Sequence, residues 1–312
     1  MQIDRIFRGV LCASLLCPSV GVAGSRIALM GGGQDQDAAF RWMCEHAGAG
    51  SFVVLRASGT DAYNSYIRNL CPAVSSVETL LVTSRELAGQ PFVAEKIRKA
   101  AAVFIAGGSQ DNYINFWRGT PVEEAINSAI QKGVPVGGTS AGLAVLGEYS
   151  FGALKDTVKS SEALTNPFDE RVTITRDFLH VPLLEGKITD SHFVARDRMG
   201  RLIAFLARIA TDGRTPAPFG IGIDEKTAVL VDADGSARVT GVGAAYFLRT
   251  PGLPEKCVPN AALTYRDVSV YRLTAAAGGF NLKSWSGSGG LAYKLSAENG
   301  VLKSTLPGNQ IY

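Results

Sequence analysis

The amino-acid sequence predicts an α/β fold in which helices cover both faces of a mostly parallel sheet, as in a three-layer sandwich. Short apolar segments alternate with segments of helical pattern through the first half of the chain. This alternation is typical of βα units that build a parallel sheet. Glycine-rich turns follow several of the apolar segments, at residues 31–33, 107–108 and 137–138. Because binding sites in open α/β sheets form at the carboxyl ends of the strands, these turns indicate the functional edge.

The predicted elements follow in the order that such a sheet requires. Strands are predicted at residues 26–30, 52–56, 77–82, 102–106 and 134–136, and helices at 37–46, 61–70, 86–101 and 121–132. Pro121 suits the first turn of its helix. Residues 155–171 are polar and predict surface loops. Beyond them we expect an apolar helix at 198–210 and strands at 172–174, 219–225, 228–231, 239–248, 268–273 and 292–295.

Residues 1–23 are predicted to be a secretory signal peptide. Arg5 and Arg8 form a basic start, residues 9–17 are apolar, and residues 21–23 (GVA) form a small-residue cleavage site ending at Ala23. These features define a signal peptide; the alternatives are a buried strand or an uncleaved anchor. We therefore expect a periplasmic or secreted protein. Residues 24–250 are predicted to form one α/β domain, and the turn-rich residues 251–312 a β-rich extension packed on it.

Composition and charge exclude several classes of partner. The formal net charge of +3 is too small to predict binding to nucleic acid or to a membrane surface. Beyond the N-terminus there is no apolar run long enough to span a bilayer, so no membrane contact is expected of the mature chain. No metal is predicted, since no Cys or His spacing suggests a metal site. A homodimer is left open.

Two of the cysteines outside residues 1–23 have a spacing that permits a disulfide. Cys44 and Cys71 lie near the ends of two successive predicted helices. An exported compartment permits a bridge between them. The alternative is two small buried side chains.

The segment 138–142 (GTSAG) has the form G-x-S-x-G between a predicted strand and a predicted helix. This is the context of a nucleophile elbow, a strained turn that projects its serine. Ser140 is therefore the candidate nucleophile. The N–H of Ala141, and a second N–H from Gly107 or Gly108, are candidates for stabilising an oxyanion. The alternative is a glycine-rich turn that closes a layer or binds an anion at a helix N-terminus.

A serine nucleophile needs a base, and the base needs an orienting acid. His192 is preferred as base because it lies at a predicted strand end beside an acid and several arginines. His46 suits a helix C-terminus, and the apolar neighbours of His180 predict a core histidine. Asp190 would share a strand face with His192. The acids that end the strand at 219–225, Asp224 and Glu225, are also candidates.

The other polar and glycine-rich features are interpreted as parts of a substrate site. Arg196, Arg198 and Arg201 cluster where a helix begins, against the dipole preference of that end. Bidentate binding of a substrate carboxylate would explain them; the alternative is pairing with Asp190 or Asp197. The turn at 31–33 lacks nucleotide-binding spacing. It is interpreted as a turn that lets the backbone approach a substrate.

Taken together, the motifs resemble a known family. The strand ending in GGSQ, the GGTSAG elbow, DSHF followed by ARDRMGR, and GIGIDE occur in the order found in serine peptidases of family S51, in its cyanophycinase branch. The resemblance covers about residues 26–248. It implies a flavodoxin-like fold of the class I glutamine amidotransferase-like type and no metal or organic cofactor.

The resemblance also implies site residues and a substrate. Ser140 is the implied nucleophile, His192 the base and Glu225 the orienting acid. The implied substrate-binding residues are Gln110, Asp190, Arg196, Arg198 and Arg201. In cyanophycinases the substrate is a poly-aspartate backbone carrying arginine on each β-carboxyl, which is cut to β-Asp-Arg dipeptides. Relatives in the family cut dipeptides with N-terminal aspartate.

We therefore expect an exported serine peptidase that cuts an aspartyl-containing peptide or isopeptide such as cyanophycin. One alternative is an α/β-hydrolase esterase, which normally places its histidine after its acid. Another is a non-catalytic binding protein on the same fold. A cysteine-dependent amidotransferase is disfavoured because the elbow position is serine.

Overall fold

The computed structural model of the protein describes residues 24–312. The predicted signal peptide, residues 1–23, lies outside the described residues. Within the described range, no helix combines the length and the apolar character needed to cross a membrane.

The described chain alternates strands and helices up to residue 211 and is β-rich thereafter. The helices are α1 (Asp37–Ala47), α2 (Tyr63–Leu70), α3 (Arg85–Ala88), α4 (Pro91–Lys99), α5 (Gln110–Trp117), α6 (Pro121–Gln131), α7 (Ala141–Ala144), α8 (Ser160–Thr165) and α9 (Met199–Thr211). The strands before α9 are β1 (Ile27–Met30), β2 (Ser51–Arg56), β3 (Ser76–Leu81), β4 (Ala102–Ile105), β5 (Val136–Thr139), β6 (Tyr149–Phe151), β7 (Ile174–Arg176) and β8 (Lys187–Asp190). The strands after α9 are β9 (Phe219–Ile223), β10 (Thr227–Val231), β11 (Ser236–Gly241), β12 (Ala244–Arg249), β13 (Tyr265–Thr274), β14 (Gly279–Asn281), β15 (Ser286–Ser288), β16 (Leu291–Glu298) and β17 (Val301–Ser304).

The first sheet is parallel over only half its width. Its strand order within residues 24–312 is β15-β14-β11-β10-β1-β5-β4-β2-β3. The five strands β1, β5, β4, β2 and β3 are parallel to one another. The strands β10, β11, β14 and β15 are antiparallel to their neighbours. The prediction of a mostly parallel sheet is therefore wrong. The physical reason is that β10 and β11 are joined by a short turn rather than by the helical crossover that parallel pairing requires.

A second mixed sheet follows the order β17-β16-β13-β12-β9-β8-β6-β7. Only β6, β8 and β9 are parallel within it, and the remaining pairs are antiparallel. Residues 251–312 contribute to both sheets, because β13 pairs with β12 and β14 pairs with β11.

Helices cover both faces of the parallel half of the first sheet. One face packs its apolar side chains against α1 and α2, and the other against α4, α5 and α6. The second sheet packs one face against α8 and α9. Its other face, through Ile221, Ile223 and Phe247, joins the core under the first sheet. The two sheets therefore bury a continuous apolar interior, and their strand ends meet where β1, β5, β8 and β9 terminate.

Two helices that are not among the predicted elements lie close to this edge. Residues 110–117 form α5, whose buried Tyr113, Ile114 and Trp117 have helical spacing. The predicted loop 155–171 contains α8. The helix predicted at 86–101 is divided at Gly89 and Gln90, and Pro91 then begins α4 in the position that proline favours.

A disulfide joins Cys44 on α1 to Cys71, which follows α2. The two cysteines are 27 residues apart in sequence. The bridge therefore fixes α1 and α2 to each other on one face of the first sheet.

Candidate active site

Ser140 occupies a strained turn between β5 and α7. Its backbone has φ 53° and ψ −114°, a region that non-glycine residues rarely adopt. The flanking glycines make the turn possible. A Cβ on Gly138 would lie 2.5 Å from the carbonyl carbon of Gly142, and one on Gly142 would overlap the carbonyl oxygen of Ile105. The GTSAG segment thus folds as the sharp strand-to-helix turn that its pattern predicts.

A hydrogen-bonded chain of three side chains begins at this serine. Ser140 Oγ lies 2.7 Å from His192 Nε2, and His192 Nδ1 lies 2.5 Å from Glu225 Oε1. The three residues come from the ends of β5, β8 and β9, so both sheets contribute. The imidazole is largely buried, with 9% of its side chain exposed, whereas Glu225 is 34% exposed. This arrangement has the connectivity of a serine nucleophile, a base and an orienting acid.

The glycine turn after β1 holds His192 in place. The N–H of His192 donates to the carbonyl of Gly31 over 2.7 Å, and the N–H of Lys226 donates to the carbonyl of Gly32 over 2.9 Å. A Cβ on Gly33 would lie 3.2 Å from the Cβ of Glu225. The neighbour of this turn is therefore the His192–Glu225 pair, and not a substrate as its glycine content predicts.

The environment of His192 favours the neutral imidazole. Burial lowers its pKa, and the cationic side chains of Arg196 and Arg198 act in the same direction. The hydrogen bond to Glu225 raises the pKa but does not outweigh burial. The same hydrogen bond lowers the pKa of the Glu225 carboxyl. A neutral ring whose Nδ1 faces a carboxylate leaves Nε2 free to accept a proton from Ser140.

The candidate oxyanion donors lie around the serine. Ala141 is the first residue of α7, directly after Ser140. Gly107 follows β4, and a Cβ built on it would lie 3.6 Å from the Cβ of Ser140. A Cβ on Gly108 would instead meet the hydroxyl of Tyr113 at 3.1 Å. Gly107 is therefore the residue of the pair that borders the nucleophile.

A cavity of about 630 Å³ lies beyond the turn at Gly107 and Gly108. We call it the arginine-lined cavity. It is lined by Ser109, Gln110, Asp111, Phe151, Ala153, Leu154, Asp156, Thr157, Val158, Lys159, Arg196, Arg198 and Arg201. Gln110 is oriented by a hydrogen bond from its Nε2 to the carbonyl of Phe151 over 2.9 Å. Four of the five predicted substrate-binding residues therefore border one cavity.

Asp190 does not orient His192. It is the last residue of β8, and His192 lies beyond the strand with φ 47°, so the alternation that would place both on one face no longer applies. Its carboxylate instead receives Nε and Nη2 of Arg201 over 2.8 and 2.6 Å, and Nη1 of Arg198 over 3.2 Å. Burial opposes ionisation of Asp190, but the two arginines together hold its pKa below the usual range.

The three arginines thus differ in their surroundings. Arg201 is only 2% exposed and is bound by Asp190, and Arg198 shares that carboxylate and also donates to the carbonyl of Ser191. Arg196 is exposed and makes no ion pair within residues 24–312. Pairing with Asp190 was the alternative to substrate binding for these arginines. It is present for Arg198 and Arg201.

The other candidates for base and acid lie elsewhere. His46 Nδ1 donates to the carbonyl of Trp42 over 2.8 Å within α1. His180 is exposed, so its prediction as a core histidine is wrong; its neighbours Leu179 and Val181 are buried while its own side chain points outward. The Asp224 carboxylate accepts backbone N–H groups from Val194 and Ala244.

Comparison with known proteins identifies the family. The model of peptidase family S51 matches residues 54–239. The chain belongs to peptidase family S51. This match includes Ser140, His192 and Glu225, and it ends within β11, before the β-rich residues that follow.

Curated relatives of this S51 chain are named cyanophycinase. It is 32% identical to the cyanophycinase of Trichormus variabilis over 203 residues, which cover 64% of this chain and 63% of the relative. It is 30% identical to that of Synechococcus elongatus over 182 residues, or 58% of this chain and 51% of the relative. The chain thus spans about half to two thirds of the length of these relatives.

A solved structure shares the fold of this S51 chain. The crystal structure of a peptidase from an acI-B1 Actinobacterium superposes with a TM-score of 0.55 and 20% sequence identity, covering 84% of this chain and 98% of the other. The mixed α/β architecture is therefore one that occurs among known peptidases. Within residues 24–312, no group of three or more His, Cys, Asp or Glu side chains has the geometry of a metal site.

Proposed function

We propose that this protein is a serine peptidase that hydrolyses an aspartyl-containing peptide or isopeptide bond, with cyanophycin as the leading substrate. The single observation that carries the proposal is the hydrogen-bonded chain Ser140–His192–Glu225 on a strained elbow. Membership of family S51 and relatives named cyanophycinase support it. The parallel half-sheet with helices on both faces also supports the finer assignment to a flavodoxin-like, class I glutamine amidotransferase-like fold.

In the proposed reaction, Ser140 Oγ attacks the carbonyl carbon while His192 Nε2 takes the hydroxyl proton. The resulting oxyanion receives the N–H groups of Ala141 and Gly107. The C–N bond then breaks, and the proton held at Nε2 passes to the leaving amine. A water molecule attacks the acyl-enzyme while His192 accepts its proton. The bond between the acyl carbon and Ser140 Oγ then breaks, His192 returns the proton to Oγ, and the carboxylic acid product leaves. Glu225 holds the imidazole tautomer and stabilises the imidazolium that forms.

The arginine-lined cavity offers Arg196 as a group for a substrate carboxylate. Its exposed guanidinium is available for bidentate pairing, whereas Arg201 and Asp190 hold each other. Gln110 stands at the same cavity. An esterase of the α/β-hydrolase type is disfavoured, because Glu225 follows His192 in the chain instead of preceding it.

Export is proposed with this function. The N-terminal pattern of residues 1–23 supports a secreted or periplasmic enzyme that meets its polymer or peptide outside the cytoplasm. N-terminal sequencing of protein recovered from the periplasm or medium tests this directly. A mature chain beginning at Gly24 would agree with it, and an intact Met1 in the cytoplasm would contradict it.

The decisive experiment compares the purified protein with its Ser140→Ala variant on cyanophycin. Release of β-Asp-Arg is followed by mass spectrometry, and a fluorophosphonate probe reports the reactive serine in parallel. We expect dipeptide release and labelling by the wild type alone. Release by both proteins would contradict the role of Ser140. Labelling without release would keep the serine hydrolase and reject cyanophycin, and aspartyl and isoaspartyl peptides would then be tested. Neither labelling nor release would favour a non-catalytic binding protein.

A further inference from the structure

A buried carboxylate oxygen near the nucleophile lacks an ordinary hydrogen-bond partner. It belongs to Asp35, which follows the glycine turn at residues 31–33. The Tyr63 hydroxyl donates to the other oxygen of this carboxyl, Oδ2, over 2.5 Å. Asp35 Oδ1 is buried and has no partner of standard hydrogen-bond geometry within residues 24–312. Because an unpaired buried acceptor is destabilising, the group that faces this atom indicates its role.

The group that faces Asp35 Oδ1 is the hydroxyl of Thr139. Thr139 is the last residue of β5, directly before Ser140, and is only 3% exposed. Its Oγ1 is also buried and has no partner of standard geometry in the described part of the chain. The hydroxyl is near enough to act as a donor that lowers the pKa of the Asp35 carboxyl. Since a hydroxyl can donate and accept, the two atoms can satisfy each other whether or not Asp35 is ionised.

This contact joins the segment that carries the nucleophile to the segment that holds the base. At one end, Thr139 is bonded to Ser140 through the backbone. At the other end, Asp35 follows the turn whose Gly31 carbonyl accepts the N–H of His192 over 2.7 Å. A shift of Asp35 relative to Thr139 would therefore change the separation of Ser140 Oγ and His192 Nε2, which is 2.7 Å.

The strained backbone of Ser140 needs such an anchor. A residue with φ 53° and ψ −114° keeps that conformation only where its surroundings fix it. The N–H of Ser140 donates to the carbonyl of Met30 over 3.2 Å, which is at the long end of the usual range. The Thr139 side chain adds a second constraint, because a Cβ on Gly107 would lie 3.7 Å from its Cγ2. One rotamer of Thr139 thus directs its hydroxyl to Asp35 and its methyl group to Gly107.

Aromatic packing fixes the Asp35 carboxyl through Tyr63. The centroid of the Tyr63 ring lies 6.0 Å from that of Phe40 on α1 and 5.7 Å from that of Phe104 on β4. The guanidinium of Arg56 lies 5.5 Å from the same ring. Tyr63 therefore has little freedom to move, and its hydrogen bond holds Asp35 in a fixed orientation towards Thr139.

We propose that Asp35 and Thr139 are positioning residues, and that the contact between Asp35 Oδ1 and Thr139 Oγ1 holds Ser140 Oγ within reach of His192 Nε2. This inference rests on the proposed peptidase function. Neither residue lines the arginine-lined cavity. Loss of the contact should therefore lower the reactivity of the serine and kcat, and leave KM unchanged.

The test measures the rate at which a fluorophosphonate labels Ser140, because this rate reports the nucleophile without reference to a peptide substrate. Thr139→Val keeps the shape of the side chain and removes its hydroxyl, and Asp35→Ala removes the carboxylate. We expect each to slow labelling by about tenfold or more, since small displacements of catalytic groups are costly. The double variant should be no slower than either single variant, because both remove the same contact. Thr139→Ser keeps the hydroxyl and should retain most of the wild-type rate.

Two control variants separate positioning from a general loss of stability. Thr250→Val also removes a buried hydroxyl, which donates to the carbonyl of Pro218 over 2.9 Å before β9, at the end of that strand opposite Glu225. Asp37→Ala removes an acid that also accepts a tyrosine hydroxyl, that of Tyr66, over 2.5 Å. Both controls should label at the wild-type rate. Urea denaturation compares the stability of all variants, and circular dichroism checks that each is folded.

The outcomes distinguish this inference from the proposed function. Wild-type labelling rates in Thr139→Val and Asp35→Ala would overturn the inference alone. So would effects that multiply in the double variant, or equal slowing by Thr250→Val. Labelling of the wild type without hydrolysis of cyanophycin rejects that substrate and leaves the labelling test in force. An unlabelled wild type rejects the proposed function, and this inference with it. If Asp35→Ala does not fold, the comparison of Thr139→Val with Thr139→Ser decides: equal rates overturn the inference.

Discussion

Gly32 and His192 are in such close contact that a Cβ on Gly32 would lie 2.5 Å from both Cε1 and Nε2 of the imidazole. Gly32 also has φ +93°, where side chains are disfavoured. The turn after the first strand therefore restricts the position of the His192 ring beside Ser140. It fills the space behind the base, so the ring has one position from which it can reach Ser140.

The first prediction is that Gly32→Ala reduces kcat by about 100-fold or more, because a misplaced base loses proton transfer in the transition state. The fold should survive, with a loss of about 1–3 kcal/mol from backbone strain. Steady-state kinetics and urea denaturation measure the two effects. Gly213→Ala is the matched control, since Gly213 has φ +70° but open space around it. Equal kinetic effects of the two substitutions would show that contact with His192 does not matter.

The second prediction concerns pH. Burial lowers the pKa of His192, so its imidazole should stay neutral at pH values below the ordinary histidine pKa of about 6.5. The acid limb of kcat/KM should therefore lie below that pH. Glu225 raises the pKa of His192, so Glu225→Gln should move the limb to still lower pH. The plateau should fall by about 100-fold or more, because the tautomer is no longer held.

Glu124→Gln, the same change on an exposed helical position, is the control for the pH profile. It should leave both the limb and the plateau unchanged. A limb that moves to higher pH in Glu225→Gln would contradict the assigned hydrogen bond between Glu225 and His192. A plateau that does not fall would remove Glu225 from the catalytic machinery.

The third prediction separates structure from substrate binding at Asp190. Asp190→Asn leaves two largely buried guanidinium groups without their carboxylate, and should destabilise the protein by about 3–5 kcal/mol. Because its folded pKa is depressed, the contribution of Asp190 to stability is complete above its unfolded pKa of about 3.9 and is lost as the pH falls through the folded value.

Urea denaturation of the variant measures this loss, and the wild type followed from pH 7 to acid measures the pH dependence. Asp267→Asn is the control, because its ion pair with Lys294 is exposed and should contribute less than about 1 kcal/mol. If Asp190→Asn is as stable as wild type and only its KM rises, Asp190 binds substrate instead of supporting the arginines.

Local sequence patterns predicted the turn around Ser140 better than they predicted contacts between residues that are distant in the sequence. The conformation of GTSAG depends on residues within the turn and on Ile105 of the neighbouring strand β4. The sequence pattern was therefore sufficient to predict the turn. Asp190 and Arg201 are 11 residues apart, and Tyr63 and Asp35 are 28 apart. Such contacts depend on how strands and helices meet in space, which periodicity does not encode. This also explains why Asp190 was a candidate for orienting His192.

The sheets were mispredicted for a related reason. Periodicity identifies a strand but not whether the next connection returns as a hairpin or crosses over. β10 has the same apolar character as strands of the parallel half, yet it pairs antiparallel with both β1 and β11. The missed helix α5 is different. Tyr113, Ile114 and Trp117 show helical spacing, so that signal was present in the sequence.

The last prediction concerns Tyr312, which contacts the segment that carries Arg196 and Arg198. Its hydroxyl accepts the N–H of Met199 over 3.0 Å and donates to Asp197 Oδ1 over 2.8 Å. Its ring meets Phe193 edge-on, with centroids 6.0 Å apart. Residues 193–199 are therefore held at both ends of the stretch that contains Arg196, next to His192.

Tyr312→Phe keeps the ring but removes both hydrogen bonds, which should cost about 1 kcal/mol of stability. A looser segment 193–199 places Arg196 less well, so KM should rise several-fold while kcat changes little, since Ser140, His192 and Glu225 keep their contacts. Tyr271→Phe is the control, because its hydroxyl accepts the N–H of Gly290 in an exposed hairpin. A fall in kcat at constant KM would mean that Tyr312 acts on the position of His192, and the assignment of Arg196 to substrate binding would then need another basis.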